Sequence, residues 1–96
     1  MSGIERIAKE RQRQIEEEGF DAAHDDQHVD GSLVGVAVYY ATAELGFDLW
    51  AAMVWPESWS RSWDKTDKHS PLRQLAIAGA LIAAEIDRLE RAGAQA

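Results

Sequence analysis

The chain contains no cysteine, which removes disulfides and thiolate metal sites and makes a reducing compartment, the cytoplasm, the expected setting. Basic residues are in deficit: ten Lys and Arg stand against seventeen Asp and Glu, a formal charge of −7. A protein that holds duplex DNA or RNA needs a basic stripe to displace counterions, so duplex nucleic acid is not an expected partner. Long hydrophobic runs are also missing. The longest, Leu33 to Ala43, is interrupted by Tyr39, Tyr40 and Thr42 and is too short to span a bilayer, and Met1 to Arg6 lacks the apolar core of a secretion signal. No membrane association is expected. There is no nucleophile elbow, glycine-rich phosphate loop, zinc-protease signature or Cys–His pair, so no catalytic residue, resident metal or cofactor is assigned.

What remains is apolar enough to fold, with 46% hydrophobic residues and four Trp over 96 positions. A chain of this length forms one domain and buries only a little more than roughly 60% of the surface its unfolded form exposes, so added stability from partner subunits is expected.

Residues Ser2 to Glu18 contain no Pro, are rich in Glu, Gln, Lys and Arg, and repeat Ile4, Ile7, Ala8 and Ile15 at helical spacing, which predicts a first helix closed by Gly19. Phe20 to Gly31 is polar and turn-like and reads as an ordered loop. A second helix is predicted from about Leu33 to Leu45, capped by Asp30 or Ser32 and apolar nearly all round, as a central helix would be. Gly46-Phe47-Asp48 interrupts it, and Leu49 to Trp55 reads as a short helix or a buried connection. Pro56 to Ser70 is a long polar connection that keeps Trp59 and Trp63, and long ordered loops often carry function. Ser70-Pro71 marks the start of a last helix running to about Arg91. Leu72, Leu75, Gly79, Ile82, Ile86 and Leu89 recur along it at intervals of three and four, while Ala76, Ala80, Ala83 and Ala84 thin the flanking surface for another helix. The expected fold is all-α, a small bundle of three to four helices with two long ordered loops. Self-association is expected through the Ala/Gly face of the last helix or through the apolar second helix.

Three groups of residues are candidates for binding. Arg11 falls on the stripe of Ile4, Ile7 and Ile15, with Glu18 further along it, and reads either as an arginine aimed into a pocket and held by a carboxylate or as a snorkelling arginine or structural ion pair. His24-Asp25-Asp26-Gln27-His28 places two imidazoles four apart beside two carboxylates, the composition of a divalent-metal site or of a polar capping loop. Trp55, Trp59 and Trp63 recur every four residues with Arg61 and Lys65 among them, a composition suited to stacking a base and holding an anion, or to filling a core. Glu44, Asp48 and Glu85 are the carboxylates from which a magnesium site would be built.

Glu10-Arg11-Gln12-Arg13-Gln14-Ile15, Glu18-Gly19-Phe20, His24-Asp25-Asp26, His28, Tyr40-Ala41, Trp55-Pro56, Trp63 and the ending Ala78-Gly79-Ala80-Leu81-Ile82-Ala83-Ala84-Glu85-Ile86 together resemble a family of small phage and prophage proteins. The resemblance covers nearly the whole chain, with Phe20 where that family usually has Trp and Ser32 where it commonly has Glu. It implies an origin in a phage or prophage accessory region, and hence the host cytoplasm. Arg13 through Asp26 is similar to the Arg-x-x-x-Gly-Trp and acidic pattern of ryanodine-receptor repeat domains, helical modules some of which bind adenine nucleotides. Small phage proteins that sequester nucleotide immune signals are a known functional type. The leading expectation is a homo-oligomeric binder that sequesters a small nucleotide-like ligand, using Arg11, Arg61 and Lys65 for anionic groups, Trp59 and Trp63 for stacking, and His24 and Asp26 as further contacts. The alternatives are a MazG-like, magnesium-dependent nucleotide pyrophosphohydrolase and a module that binds a host protein.

Overall fold

A computed structural model describes residues 1–43, 54–64 and 68–93, which form an all-α bundle with no strand among them. Helix α1 covers Gly3–Glu17, α2 Ala22–Asp25, α3 Ser32–Thr42 and α4 Pro71–Arg91, with a 3-10 turn at Arg61–Trp63 before α4. No described helix is long and apolar enough to cross a membrane.

Local chemistry sets the boundaries. Ser2 caps α1 in a reciprocal box, its hydroxyl accepting from the Glu5 N–H while the Glu5 carboxylate accepts from the Ser2 N–H. Gly19 ends the helix with φ of 74°, a left-handed conformation that lets the Phe20 N–H return to the Gln14 carbonyl at 2.9 Å. Ser70 caps α4 by accepting from the Arg73 N–H, with Pro71 in the first turn. At α3 the expected cap shifts: Gly31 occupies the capping position with φ of 81°, and Asp30 contributes from outside by accepting from the Ser32 N–H at 3.1 Å. The Phe20 to Gly31 segment is more ordered than its composition predicts, because Asp21 accepts from the His24 N–H and nucleates the single turn of α2.

The core lies between α3 and α4, where Leu33, Val36, Ala37 and Tyr40 meet Ile77, Ala78, Leu81 and Ala84, with Trp55 and Trp59 closing one side. Two readings of helix faces are corrected. In α4 the Ala face is the buried one, taken up by contacts with α3 and α1, while the Leu and Ile stripe lies outward. In α1 the Ile stripe does not face inward as a whole: Ile4 is 82% exposed and Ile15 is exposed, while the inner side is Glu10 and Gln14, buried, with Ile7 and Arg11 half-buried. A helix with a polar inner face is suited to forming the wall of a cavity, since its buried groups need partners that a dry core does not offer.

Two glycines permit close helix approach, and their substitution should differ. A Cβ on Gly35 would sit 2.6 Å from the Val54 carbonyl oxygen, which is backbone, whereas on Gly79 it would meet the Ile7 side chain, Cδ1 at 2.6 Å and Cγ1 at 2.8 Å. We predict that Gly35→Ala destabilises the fold by about 1–3 kcal/mol through overpacking, despite the roughly 1 kcal/mol gain in helix propensity. Gly79→Ala should cost less than Gly35→Ala, because the atoms in the way belong to one side chain, although Ile7 is β-branched and must shift as a whole. Urea unfolding of both variants checks this, and equal midpoints would contradict it.

Candidate functional site

A cavity of about 540 Å³ opens between α1, the α2 segment and the Trp59 loop, with α3 and α4 as its floor. Its aromatic walls are Phe20, His24, Tyr40, Trp55, Trp59 and Trp63, its apolar floor is Val36, Ile77 and Leu81, and its polar groups come from Arg13, Gln14, Glu18 and His69.

Trp59 is the centre of the aromatic network. Its ring is 5.7 Å from Phe20 and 6.3 Å from Trp55 in edge-on arrangements, 5.4 Å from His28 and 5.5 Å from Trp63. Phe20 stacks flat on His24 at 4.4 Å. Backbone turns set this spacing, with Trp59 N–H donating to the Pro56 carbonyl and Trp63 N–H to that of Ser60. The Trp55 indole N–H donates to the Trp59 carbonyl at 3.1 Å. Asp30 ties the loop to α3, accepting from Ser58 Oγ at 3.2 Å while it holds the Ser32 N–H. Trp59 is therefore a core residue as well as a cavity wall, and Trp63, 50% exposed, stands at the mouth.

Two buried polar atoms on this wall have no hydrogen-bond partner among the described residues. Gln14, 1% exposed, places its Nε2 3.4 Å from the Ile77 carbonyl and leaves Oε1 unsatisfied; Trp59, 5% exposed, leaves its indole N–H unsatisfied. Such groups each cost about 1–3 kcal/mol when left without a partner. Both atoms are themselves buried, within residues that line the aromatic cavity.

Arg11 is largely enclosed, its side chain 14% exposed, and carboxylate-paired. Its Nη2 donates to Asp25 Oδ2 at 2.7 Å and its Nη1 to the Phe20 carbonyl at 3.0 Å, with Asp25 fully buried and 2.9 Å from His24 Nδ1. This positions Phe20 and His24, but Arg11 is not among the described wall residues of the cavity. The guanidinium on the wall belongs to Arg13, which sequence reasoning missed. It pairs with Glu10 at 2.5 Å, Glu18 at 3.0 Å and Glu17 at 3.6 Å. Asp26 lies at the surface, bonded to Arg91 at 2.9 Å. The structure thus brings His24, Trp59 and Trp63 to one cavity and leaves Arg11 and Asp26 outside it. Lys65, the Arg61 side chain, Glu44 and Asp48 lie outside the described residues, while Glu85 is buried and bonds Arg88. Among the described residues no three His, Asp or Glu side chains gather as a metal site would require.

His28 gives the site a pH dependence. Its burial, and then the nearby His24, hold its imidazole below the ordinary His range. The folded state thus resists protonation more than the unfolded chain does. The stability this contributes is complete above the unfolded value of about 6.5 and is lost as pH falls through the lower folded value. We predict that the urea midpoint of the wild type falls between about pH 7.5 and 5.5, and that His28→Gln flattens the decline. An unchanged slope in the variant would contradict this assignment.

Comparison with protein families, with curated proteins and with solved structures gives no match to this chain.

Proposed function

We propose that the protein captures a small nucleotide-like ligand, enclosing its base in the aromatic cavity and retaining it without chemical change. The observation that carries this reading is the unsatisfied pair of Gln14 Oε1 and the Trp59 indole N–H, an acceptor and a donor buried in the wall of one aromatic cavity. A heteroaromatic base offers a stacking face together with donor and acceptor groups on its edge, so it matches both features at once. Stacking contributes about 1–3 kcal/mol per base, and satisfying the two orphaned atoms recovers a similar amount for each, so both features favour a seated base.

Electrostatics limits the rest of the ligand. Arg13 is the one guanidinium on the described wall, and Glu10, Glu17 and Glu18 already surround it. That setting suits a nucleoside or a ligand with few phosphate charges better than a triphosphate. Arg61 and Lys65, beside Trp63 in the sequence, are the further candidates for an anionic group, and Arg11 supports the reading by fixing Phe20 and His24. The resemblance to phage accessory proteins gives this capture a role, the sequestration of a nucleotide signal.

The test is calorimetry against a panel of nucleosides and of linear and cyclic nucleotides, using wild type, Trp63→Ala and Gln14→Leu. A panel member should bind the wild type and lose at least about tenfold in affinity, or about 1.4 kcal/mol, in each variant. Gln14→Leu should do so while leaving the empty protein as stable as wild type or more stable, because an apolar side chain of similar shape replaces an unsatisfied amide. Failure of every panel member to bind, or equal binding by all three proteins, would refute the assignment.

A further inference from the structure

Five side chains of α4, Leu72, Leu75, Ile82, Ile86 and Leu89, are 41 to 58% exposed. With Gly79 they follow one another at intervals of three and four, the seam spacing of paired helices. Among the described residues, α4 enters the core through its Ala side and through Ile77 and Leu81, and Ile7 at Gly79 touches this face. The notch at Gly79 is closed by Ile7 of α1, whose Cδ1 lies 2.6 Å from the point that a Cβ would occupy. Apolar surface is therefore continuous along the helix.

We infer that this seam binds a second copy of the chain, with the two α4 helices antiparallel about a two-fold axis. The intervals read three, four, three, four, three from either end. A two-fold axis then sets Leu72 opposite Leu89 of the second copy, Leu75 opposite Ile86 and the Ile7-filled notch at Gly79 opposite Ile82, the self-complementarity that an isologous interface requires.

Charge selects the direction. Asp87 and Glu90 are exposed and have no ion pair among the described residues, and Glu90 lies about five turns beyond Leu72 on the same bearing, at the edge of the seam. In a parallel pair Glu90 would meet its own copy, with Asp87 adding to the negative field from farther round the helix. In the antiparallel pair they approach the other α4 N-terminus, whose open N–H groups carry partial positive charge. Arg88 and Arg91 of the same turns are engaged within the chain by Glu85 and Asp26.

Area is consistent with such a pair. The stripe offers on the order of 400 Å² of apolar surface, the size of the largest patch on many monomers and one that often serves a function. Two copies bury about twice that, and with the rim they approach the roughly 1,200 Å² at the lower end of stable interfaces. Ile77 and Leu81 face the cavity from the opposite side of α4, so pairing leaves the cavity open.

Sedimentation equilibrium of the full chain tests this. The wild type should sediment at twice its 10.7 kDa. Leu75→Glu and Ile86→Glu should each be folded monomers with dissociation constants raised at least about a hundredfold, their helical circular dichroism unchanged because both positions are exposed. The double variant Leu75→Lys/Ile86→Glu should pair again, since only an antiparallel register sets those two positions against each other. A wild type that is monomeric at about 100 μM, a Leu75→Glu protein that still dimerises, or a double variant that stays monomeric would each overturn the inference. So would a monomer that floats with phosphatidylcholine vesicles, which would assign the stripe to a lipid surface.

Discussion

Replacing Arg11 with alanine should lower the stability of the fold by about 3–5 kcal/mol, because it leaves a fully buried carboxylate with, among the described residues, only the His24 imidazole beside it and no cation. Asp25 is 0% exposed and Arg11 14%, and the pair closes at 2.7 Å. The same guanidinium holds the Phe20 carbonyl, so its loss also frees the turn that leads from α1 into α2. Arg11→Lys should recover part of the loss, since an ammonium restores the charge but cannot fork between a carboxylate and a carbonyl. The double variant Arg11→Ala/Asp25→Ala should be more stable than Arg11→Ala alone, because it removes the stranded charge as well. Urea unfolding of the three variants gives the comparison. A loss below about 1 kcal/mol in Arg11→Ala would show that the pair behaves as a solvated surface bridge.

The second large effect is expected at Trp59. Removing its indole as Trp59→Ala should cost about 3–5 kcal/mol, the range for deleting a buried aromatic side chain. The ring meets Phe20, His28, Trp55 and Trp63, so its removal merges the space it fills with the adjoining cavity instead of leaving a small void that could collapse. Trp59→Phe separates packing from recognition. It keeps an apolar ring in the core but deletes the orphaned N–H, so it should lose only about 1–2 kcal/mol of stability. Its affinity for a ligand bound by the wild type should nonetheless fall at least about tenfold. A Trp59→Ala protein as stable as wild type would place the indole outside the core.

Helix α4 shows where sequence reading succeeds and where it stops. Its limits were legible because Ser70-Pro71 is a local capping signal and the run to Arg91 contains no breaker. Which side is buried was not legible, because the helix is apolar on two faces, one lined with Leu and Ile and the other with Ala. Periodicity reports that a face is apolar, not which neighbour covers it. Helix α1 poses the converse problem. Its three Ile residues suggested an inner stripe, yet the polar side with Glu10, Arg11 and Gln14 turns inward, and only the position of Arg11 in line with Ile7 hinted at this.

At the site, the four-residue spacing of Trp55, Trp59 and Trp63 located the aromatic wall, and the anomaly at Arg11 identified a buried ion pair. Arg13 and Gln14 were missed, since nothing in a run of alternating Arg and Gln distinguishes solvated members from buried ones. The available signal was that Gln14 follows Ile7 by two helical turns and therefore shares its face.

The most direct measurement is the indole N–H resonance of Trp59, assigned by its absence in Trp59→Phe and followed by proton–nitrogen NMR as a nucleotide-like ligand is added. A base seated in the cavity accepts a hydrogen bond from that N–H, so the resonance should move downfield and its exchange with water should slow, with the Gln14 side-chain amide shifting at the same ligand concentrations. A ligand that saturates the protein while both signals stay in place, or a panel of nucleotides that leaves every resonance unchanged, would contradict the account.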